Sequence, residues 1–352
     1  MKGKLLIVSL HIGGGCFQYG NELISHLTVE KDVFVPNAVQ EQLKIKNPRT
    51  LLFWGHPSLL RYFSLAFFLL RIFILGATGY YRGLLLAGPS SWDYYIMRIW
   101  KLTGRPSRYI VHDGVMHAGE KDTETQNKII WIMRHASRLI FLSDYVRRNV
   151  RDTYGIDSPY LIVPHGLIDY GPLINNDTPQ NDAPIILFLG RVSHYKGVDL
   201  LLKAMQSVPD NIYRKLIIAG NGALQYQSEA GNAKVLFDDQ WLSERDIIKY
   251  LSVADIMVFP YREASQSGVA TLAVNYAIPS IAFRVGALAE QFPENGAIII
   301  DRPSPDALAT AITRMCTDQQ LRCNMHIALS EGKNAIRWDN IAKILDDDLT
   351  EE

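Results

Sequence analysis

The chain predicts two α/β domains, each a doubly wound parallel sheet, and three observations predict it. Short apolar runs rich in Val, Ile and Leu alternate with stretches of helical apolar spacing along the 352 residues. The alternation breaks once, at 171–184, GPLINNDTPQNDAP, whose three Pro with Asn and Asp read as a linker. At 48% hydrophobic, the chain can bury two ordinary cores, one on each side of that break.

Residues 5–10 are the first strand. HIGGG follows, with Gly13, Gly14 and Gly15 in a tight turn, and 17–27 has helical spacing. The run 59–75, LLRYFSLAFFLLRIFIL, is very apolar, but Arg61 and Arg71 leave only nine uncharged residues between them, too few to span a bilayer. Two readings stand: a buried core helix, or a helix lying at a membrane interface with its Arg heads at the phosphates. Tyr80, Tyr81, Arg82, Arg98, Trp100, Lys101, Arg105 and Arg108 follow, the aromatic and basic mixture that interfaces favour. Strands are predicted at 83–87, 109–112, 139–142 and 161–163, the last running into Pro164-His165-Gly166. Beyond the linker, strands are predicted at Ile185–Leu189, 216–219, 235–237, Ile256–Phe259, Ser280–Phe283 and 297–300. Helices at 198–208, 244–253, 267–277, 286–291 and 305–317 intervene. A terminal helix carries Ile336, Trp338, Ile341, Ile344 and Leu345. The expected domains are 1–170, 171–334, and a helix at 335–352 that can pack back toward the N-terminal domain.

Net charge is zero but unevenly placed: 20 Lys and Arg against 13 Asp and Glu in 1–170, and 16 against 23 in 171–352. A basic half suggests an anionic partner, and with no nucleic-acid motif beside it, an anionic membrane surface is favoured over nucleic acid. Cys16, Cys316 and Cys323 show no metal-ligand or disulfide spacing, which suits a reducing compartment and predicts no metal site. Residues 1–10 run straight into a strand, so no signal peptide is expected.

The chemistry concentrates where strands hand over to helices. In IILFLGRVSHYKGV, at 185–198, a buried strand ends at Gly190 and two cations, Arg191 and Lys196, precede a helix. Ligands of open α/β sheets bind beyond such strand ends, and two cations there suit a diphosphate. A second junction follows the strand IMVFP: YREASQSGVATLAVN places Glu263 in a loop and Ser265 to Gly268 at a helix start. Free N–H groups and the positive dipole end favour phosphate oxygens there, though simple capping accounts for the serines equally well. HIGGG lacks GxGxxG spacing and an acidic ribose partner, so a nicotinamide fingerprint is not supported; it remains either a plain turn or a close approach to a phosphate or sugar.

GRVSHYKG, followed about 70 residues later by PYREASQSGVATLAVNYAIPSIAF, resembles the C-terminal domain of retaining GT-B glycosyltransferases that use nucleotide-sugar donors. HIGGG, HDGVMHAGE at 112–120, VPHG at 163–166, ADIMVFPY at 254–261 and the Trp338 helix fall in that family's order, so the resemblance covers nearly the whole chain. Within the family it is most similar to bacterial enzymes that build exopolysaccharide, capsule or O-antigen repeat units. The resemblance implies a GT-B architecture, two doubly wound Rossmann-like domains facing an interdomain cleft. It implies that Arg191 and Lys196 bind the donor diphosphate, that Glu263 accepts hydrogen bonds from the donor sugar, and that Ser267, Gly268 and Val269 give backbone N–H groups. Gly14 and Gly15 would close over the donor, while His112 and Asp113 would face the reacting sugar and the acceptor. Asp113 is either a base or an orienting group. Thr271 stands where many relatives carry a second Glu that holds the ribose, and it lacks a carboxylate's bidentate grip.

The function so implied is metal-independent transfer of a hexosyl group, with retention, from a UDP- or GDP-linked sugar to a polyprenyl-diphosphate-linked saccharide. The enzyme would be cytoplasmic and peripheral at the inner face of the cell membrane. The alternatives are a sugar-nucleotide epimerase of the same fold and a non-catalytic sugar-nucleotide-binding partner.

Overall fold

A computed structural model describes residues 3–52, 58–115, 123–174, 183–231 and 233–350. The first part of the chain runs β1 (Lys4–Val8), α1 (Gly14–His26), β2 (Lys31–Pro36), β3 (Arg49–Leu51), α2 (Ser58–Ala77) and β4 (Tyr81–Leu86). It continues through α3 (Asp93–Lys101), β5 (Ser107–Val111), α4 (Thr123–His135), β6 (Arg138–Phe141), α5 (Asp144–Tyr154) and β7 (Tyr160–Ile162). All seven strands are parallel, in the order β3-β2-β1-β4-β5-β6-β7. Strands buried on both faces need continuous apolar runs, which is what KLLIV and GLLL supply.

The second part runs β8 (Ile185–Leu189), α6 (Val198–Met205), β9 (Lys215–Ala219), β10 (Val235–Asp238), α7 (Glu244–Leu251) and β11 (Ile256–Phe259). Then come α8 (Gly268–Asn275), β12 (Ser280–Phe283), β13 (Ala297–Ile300), α9 (Pro305–Thr317), α10 (Gln319–Gly332) and α11 (Trp338–Thr350). Its six parallel strands are ordered β10-β9-β8-β11-β12-β13. Both sheets therefore reverse direction next to their first strand, between β1 and β4 and between β8 and β11. Those switch points are where doubly wound sheets open a crevice for ligands.

The chain divides into two compact units, Met1–Gly166 with Trp338–Glu352, and Leu167–Arg337. The sequence boundary at 170 differs because Tyr170 N donates to Tyr276 Oη at 2.9 Å and Asn275 Nδ2 to Ile168 O at 3.0 Å, tying this segment to the second unit. Most of the 171–184 linker lies outside the described residues. α11 covers one face of the first sheet, packing Trp338, Ile341 and Leu345 with Tyr19, Leu85 and Ile110. Its Asp348 accepts from Arg108 Nε at 2.7 Å and also pairs with Arg138, so a buried cation and its counterion come from positions 240 residues apart. The other face of that sheet packs α2, α3, α4 and α5.

This division alters the charge picture. The first unit holds 21 Lys and Arg against 18 Asp and Glu, and the second 15 against 18, because the acidic α11 belongs with the basic half of the chain. Strand β2 was not expected; its run DVFVP is interrupted by an acid and a proline. The helix expected at 286–291 is a single turn at Ala289–Gln291.

Candidate functional site

In the second unit the two junctions named from sequence meet at the switch point. The loop after β8 carries exposed Arg191 and half-buried Lys196, and the loop after β11 carries exposed Glu263. Gly197, with φ of 68°, stands where the two loops touch: a Cβ there would lie 1.9 Å from Pro260 O. Only a residue without a side chain allows that approach.

Two residues between the named ones lock the loops together. Arg262 donates its backbone N–H to Tyr195 O at 2.7 Å and Nη1 to His194 O at 2.9 Å. Its guanidinium grips Asp199, at the start of α6, through two bonds of 2.7 and 2.6 Å. Those hydrogen bonds hold the Asp199 carboxyl below its usual pKa and raise that of Arg262. Tyr261 is fully buried, its phenol pushed well above the ordinary range by burial. Its ring lies under Lys196, whose Nζ sits 3.7 Å from the centroid, a cation–π contact that fixes the ammonium. The Tyr261 hydroxyl is 3.4 Å from Ser267 Oγ. Neither Tyr261 nor Arg262 was named from sequence as a site residue; a bulky aromatic and a cation directly before Glu263 were the available signal.

At the start of α8 the expectation needs correction. Ser267 is a buried N-cap, its Oγ accepting from Ala270 N. Its own N–H donates to Gln291 Oε1 at 2.7 Å, and Gln291 Nε2 donates back to Ser267 O at 3.1 Å. The Ser267 N–H is thus committed to the protein, and Gly268 and Val269 remain as the first-turn donors. Thr271 is fully buried and donates its hydroxyl to Gly268 O at 2.8 Å, so it offers nothing in place of a ribose-binding carboxylate. Beyond β10, Asp239 accepts from Gly222 N at 2.7 Å and Leu224 N at 3.1 Å, holding the turn after β9, while Trp241 stands exposed.

In the first unit, His11 follows β1 and the exposed Gly14 and Gly15 open α1, also at a switch point. Asp113 is exposed beyond β5. His112 is not presented to solvent: it is 2% exposed, with its ring against Tyr19 and His11. Both His11 Nε2 and His112 Nε2 reach Ala87 O at 3.2 Å. A carbonyl only accepts, so those nitrogens carry the hydrogens. Burial, with His11 nearby, pushes the His112 pKa down to about 3, so the ring is neutral. His165, in the Pro164-His165-Gly166 run after β7, is likewise buried, donates Nδ1–H to Gly166 O at 2.7 Å, and has its pKa lowered to about 4 by burial. Asp93, also not named from sequence, is a buried carboxylate near His11; it accepts from Ser90 N and Oγ at 2.8 and 2.6 Å, and burial raises its pKa.

His11, Cys16 and His112 bring one ligand atom each within 4.8 Å of the other two and could hold a metal ion. Sequence spacing gave no metal site because these residues come together only through the ends of β1 and β5 and the first turn of α1. Residues 116–120 of the HDGVMHAGE motif lie outside the described residues.

Residues 183–318 match the family model described as "Glycosyl transferases group 1". An uncharacterized glycosyltransferase of Methanocaldococcus jannaschii is 30% identical over 173 residues, 47% of this chain and 44% of that protein. A D-inositol 3-phosphate glycosyltransferase of Corynebacterium kroppenstedtii is 24% identical over 265 residues, 68% of this chain and 59% of that one. The chain thus spans about half the length of the curated relatives it matches. Among solved structures, the Anabaena protein HepE, in complex with UDP, superposes with a TM-score of 0.76 at 15% identity, covering 99% of this chain and 100% of that one. The fold is that of the GT-B glycosyltransferases, two parallel-sheet α/β units.

Proposed function

We propose that this chain, with its group 1 glycosyltransferase domain, moves a sugar from a nucleotide-sugar donor to a saccharide acceptor carried on a lipid, with retention at the anomeric carbon. One observation carries the reading. Arg191, Lys196, Glu263 and the open first turn of α8 stand at a single switch point, on two loops that Arg262 and Tyr261 tie together.

The chemistry that suits this arrangement is loss of a nucleoside diphosphate. As the bond from the anomeric carbon to the diphosphate oxygen breaks, negative charge grows on that oxygen. Arg191, Lys196 and the Gly268 and Val269 N–H groups meet it, a preorganised electrostatic term. Glu263 accepts hydrogen bonds from the sugar hydroxyls. The acceptor oxygen forms the new bond on the face the diphosphate leaves, and its proton passes to the departing phosphate oxygen. In the first unit, Gly14 and Gly15 beyond β1 and Asp113 beyond β5 stand exposed. His112, buried and neutral, holds the end of β5 to Ala87 as a positioning residue. The likeness to HepE, solved with UDP and with UDP-glucose, supports a UDP-sugar as the first donor to try.

The test is a panel of UDP- and GDP-sugars screened by thermal shift, since a ligand bound only to the folded chain raises the midpoint. A matching donor is expected to stabilise the wild type and fail to stabilise Arg191→Ala. Turnover in Lys196→Ala should fall by roughly 100- to 1,000-fold, as when one preorganised donor to a developing oxyanion is lost. Indifference of both variants would remove the diphosphate assignment. Epimerised sugar formed from the donor alone would favour an epimerase instead.

A further inference from the structure

Helix α2 has two apolar faces and only one core to fill. Leu65, Phe68 and Ile72 pack beneath it with Phe34, Leu84 and Trp100. α3 comes so close beside it that a Cβ on Gly76 would meet Thr103 Cγ2 at 2.8 Å and Trp100 Cζ3 at 3.0 Å. On the outward side, Leu60, Phe63, Phe67, Leu70 and Ile74 recur at spacings of three and four and are 53%, 70%, 68%, 58% and 49% exposed. Such spacing makes one continuous stripe along a helix. Tyr62 flanks it, α3 adds exposed Tyr95, Arg98 and Lys101, and Leu102, just after α3, is exposed as well. Soluble monomers seldom leave so large a contiguous apolar surface in water.

Charge selects the occupant. Helices α2, α3, α4 and α5, on this face of the first sheet, carry nine Lys and Arg against four Asp and Glu. Helices α1 and α11, on the opposite face, carry one against five. The unit is therefore electrically polar across its sheet, with the apolar stripe on the positive side. A second copy docking symmetrically through this stripe would set two positive faces together. An anionic lipid surface satisfies the stripe and the charge at once. α2 is long and apolar enough to cross a membrane by length and composition, but crossing would strip Leu65, Phe68 and Ile72 from the core they fill.

We propose that the Leu60–Phe63–Phe67–Leu70–Ile74 stripe seats α2 flat in the interface of an anionic bilayer, with Arg98 and Lys101 at the lipid phosphates. The α1 and α11 face then points away from the membrane. The proposal draws on the sugar-transfer reading in one consequence only, that the acceptor is taken from the same leaflet.

The experiment uses the full chain with vesicles of phosphatidylglycerol mixed into phosphatidylcholine, and of phosphatidylcholine alone. At low salt the wild type is expected to sediment with the anionic vesicles at least tenfold more than with the neutral ones, and to release as salt rises. Phe63→Ser with Phe67→Ser and Leu70→Ser should lose that binding tenfold or more, and Arg98→Glu with Lys101→Glu should abolish the preference for anionic lipid. As a second measurement, Phe67→Trp should shift its fluorescence to the blue on adding anionic vesicles. No vesicle binding at any salt, binding unchanged in the triple variant, an unshifted tryptophan, or a dimer that the triple variant dissolves would each overturn the proposal. Thermal stabilisation by a nucleotide sugar, read on the same variants, is expected to persist. Its presence without vesicle binding sinks the docking alone, and its absence with vesicle binding intact sinks the donor reading alone.

Discussion

The side chains assigned to the donor in the proposed reaction depend on others to which that reaction gives no part. Lys196 is held by the Tyr261 ring, and the loop carrying it by Arg262 and Asp199. Arg262→Lys keeps a charge but loses the two-pronged bond, so donor turnover should drop about tenfold while the melting temperature moves little. A rate equal to wild type would show that the tether is unnecessary. The buried histidines set a pH dependence of stability. His112 and His165 titrate near 3 and 4 when folded, against an ordinary value near 6.5. Between those values the unfolded chain binds protons that the fold refuses. Stability is therefore full above about pH 6.5 and falls as pH drops, by up to about 1.4 kcal/mol per pH unit for each ring. Asp93, raised by burial, works the other way: it favours the fold while protonated, and that contribution fades as pH rises through its folded value. Urea titrations from pH 4 to 7 should show a shallower rise of stability with pH in His165→Gln than in the wild type, and an unchanged slope would discharge that ring from the effect.

Elements were legible where their apolar runs were clean. Strands β8, β11, β12 and β13 and helix α9 fall where periodicity puts them, because both sheets bury both faces and leave continuous runs between Gly and Pro breaks. Strand β2 was hidden because its Asp32 is kept inside by the Tyr81 hydroxyl at 2.9 Å and by Arg49, partners that no local window contains. The two loops of the site were legible as strand-to-helix junctions. Their locking was not, since Arg262, Asp199 and Gln291 act across 63 and 24 residues of sequence. The use of the Ser267 N–H by Gln291 is of the same kind. Gly197→Ala tests the junction as an element: the new Cβ would strike Pro260 O from a left-handed backbone. A loss of about 2 kcal/mol or more in unfolding free energy is expected, with weaker stabilisation by nucleotide sugar. Wild-type values for both would mean that the loops part more easily than their packing implies.

At the scale of the molecule, the two units are not two halves of the chain. The first is completed by α11, whose apolar side fills one face of its sheet and whose Asp348 answers Arg108. Cutting the chain after Arg337 leaves that face bare and Arg108 buried without its counterion, a combination that costs several kcal/mol. The truncated chain should melt in two steps, with the first unit shifted sharply downward and the Leu167–Arg337 unit unmoved. A single wild-type transition in calorimetry would contradict this. A ribosome delivers the whole Leu167–Arg337 unit, contiguous in sequence, before it delivers the helix that finishes the unit begun first. The earlier sheet must wait with one side uncovered while the later one closes, so the order of synthesis and the order of completion run opposite ways.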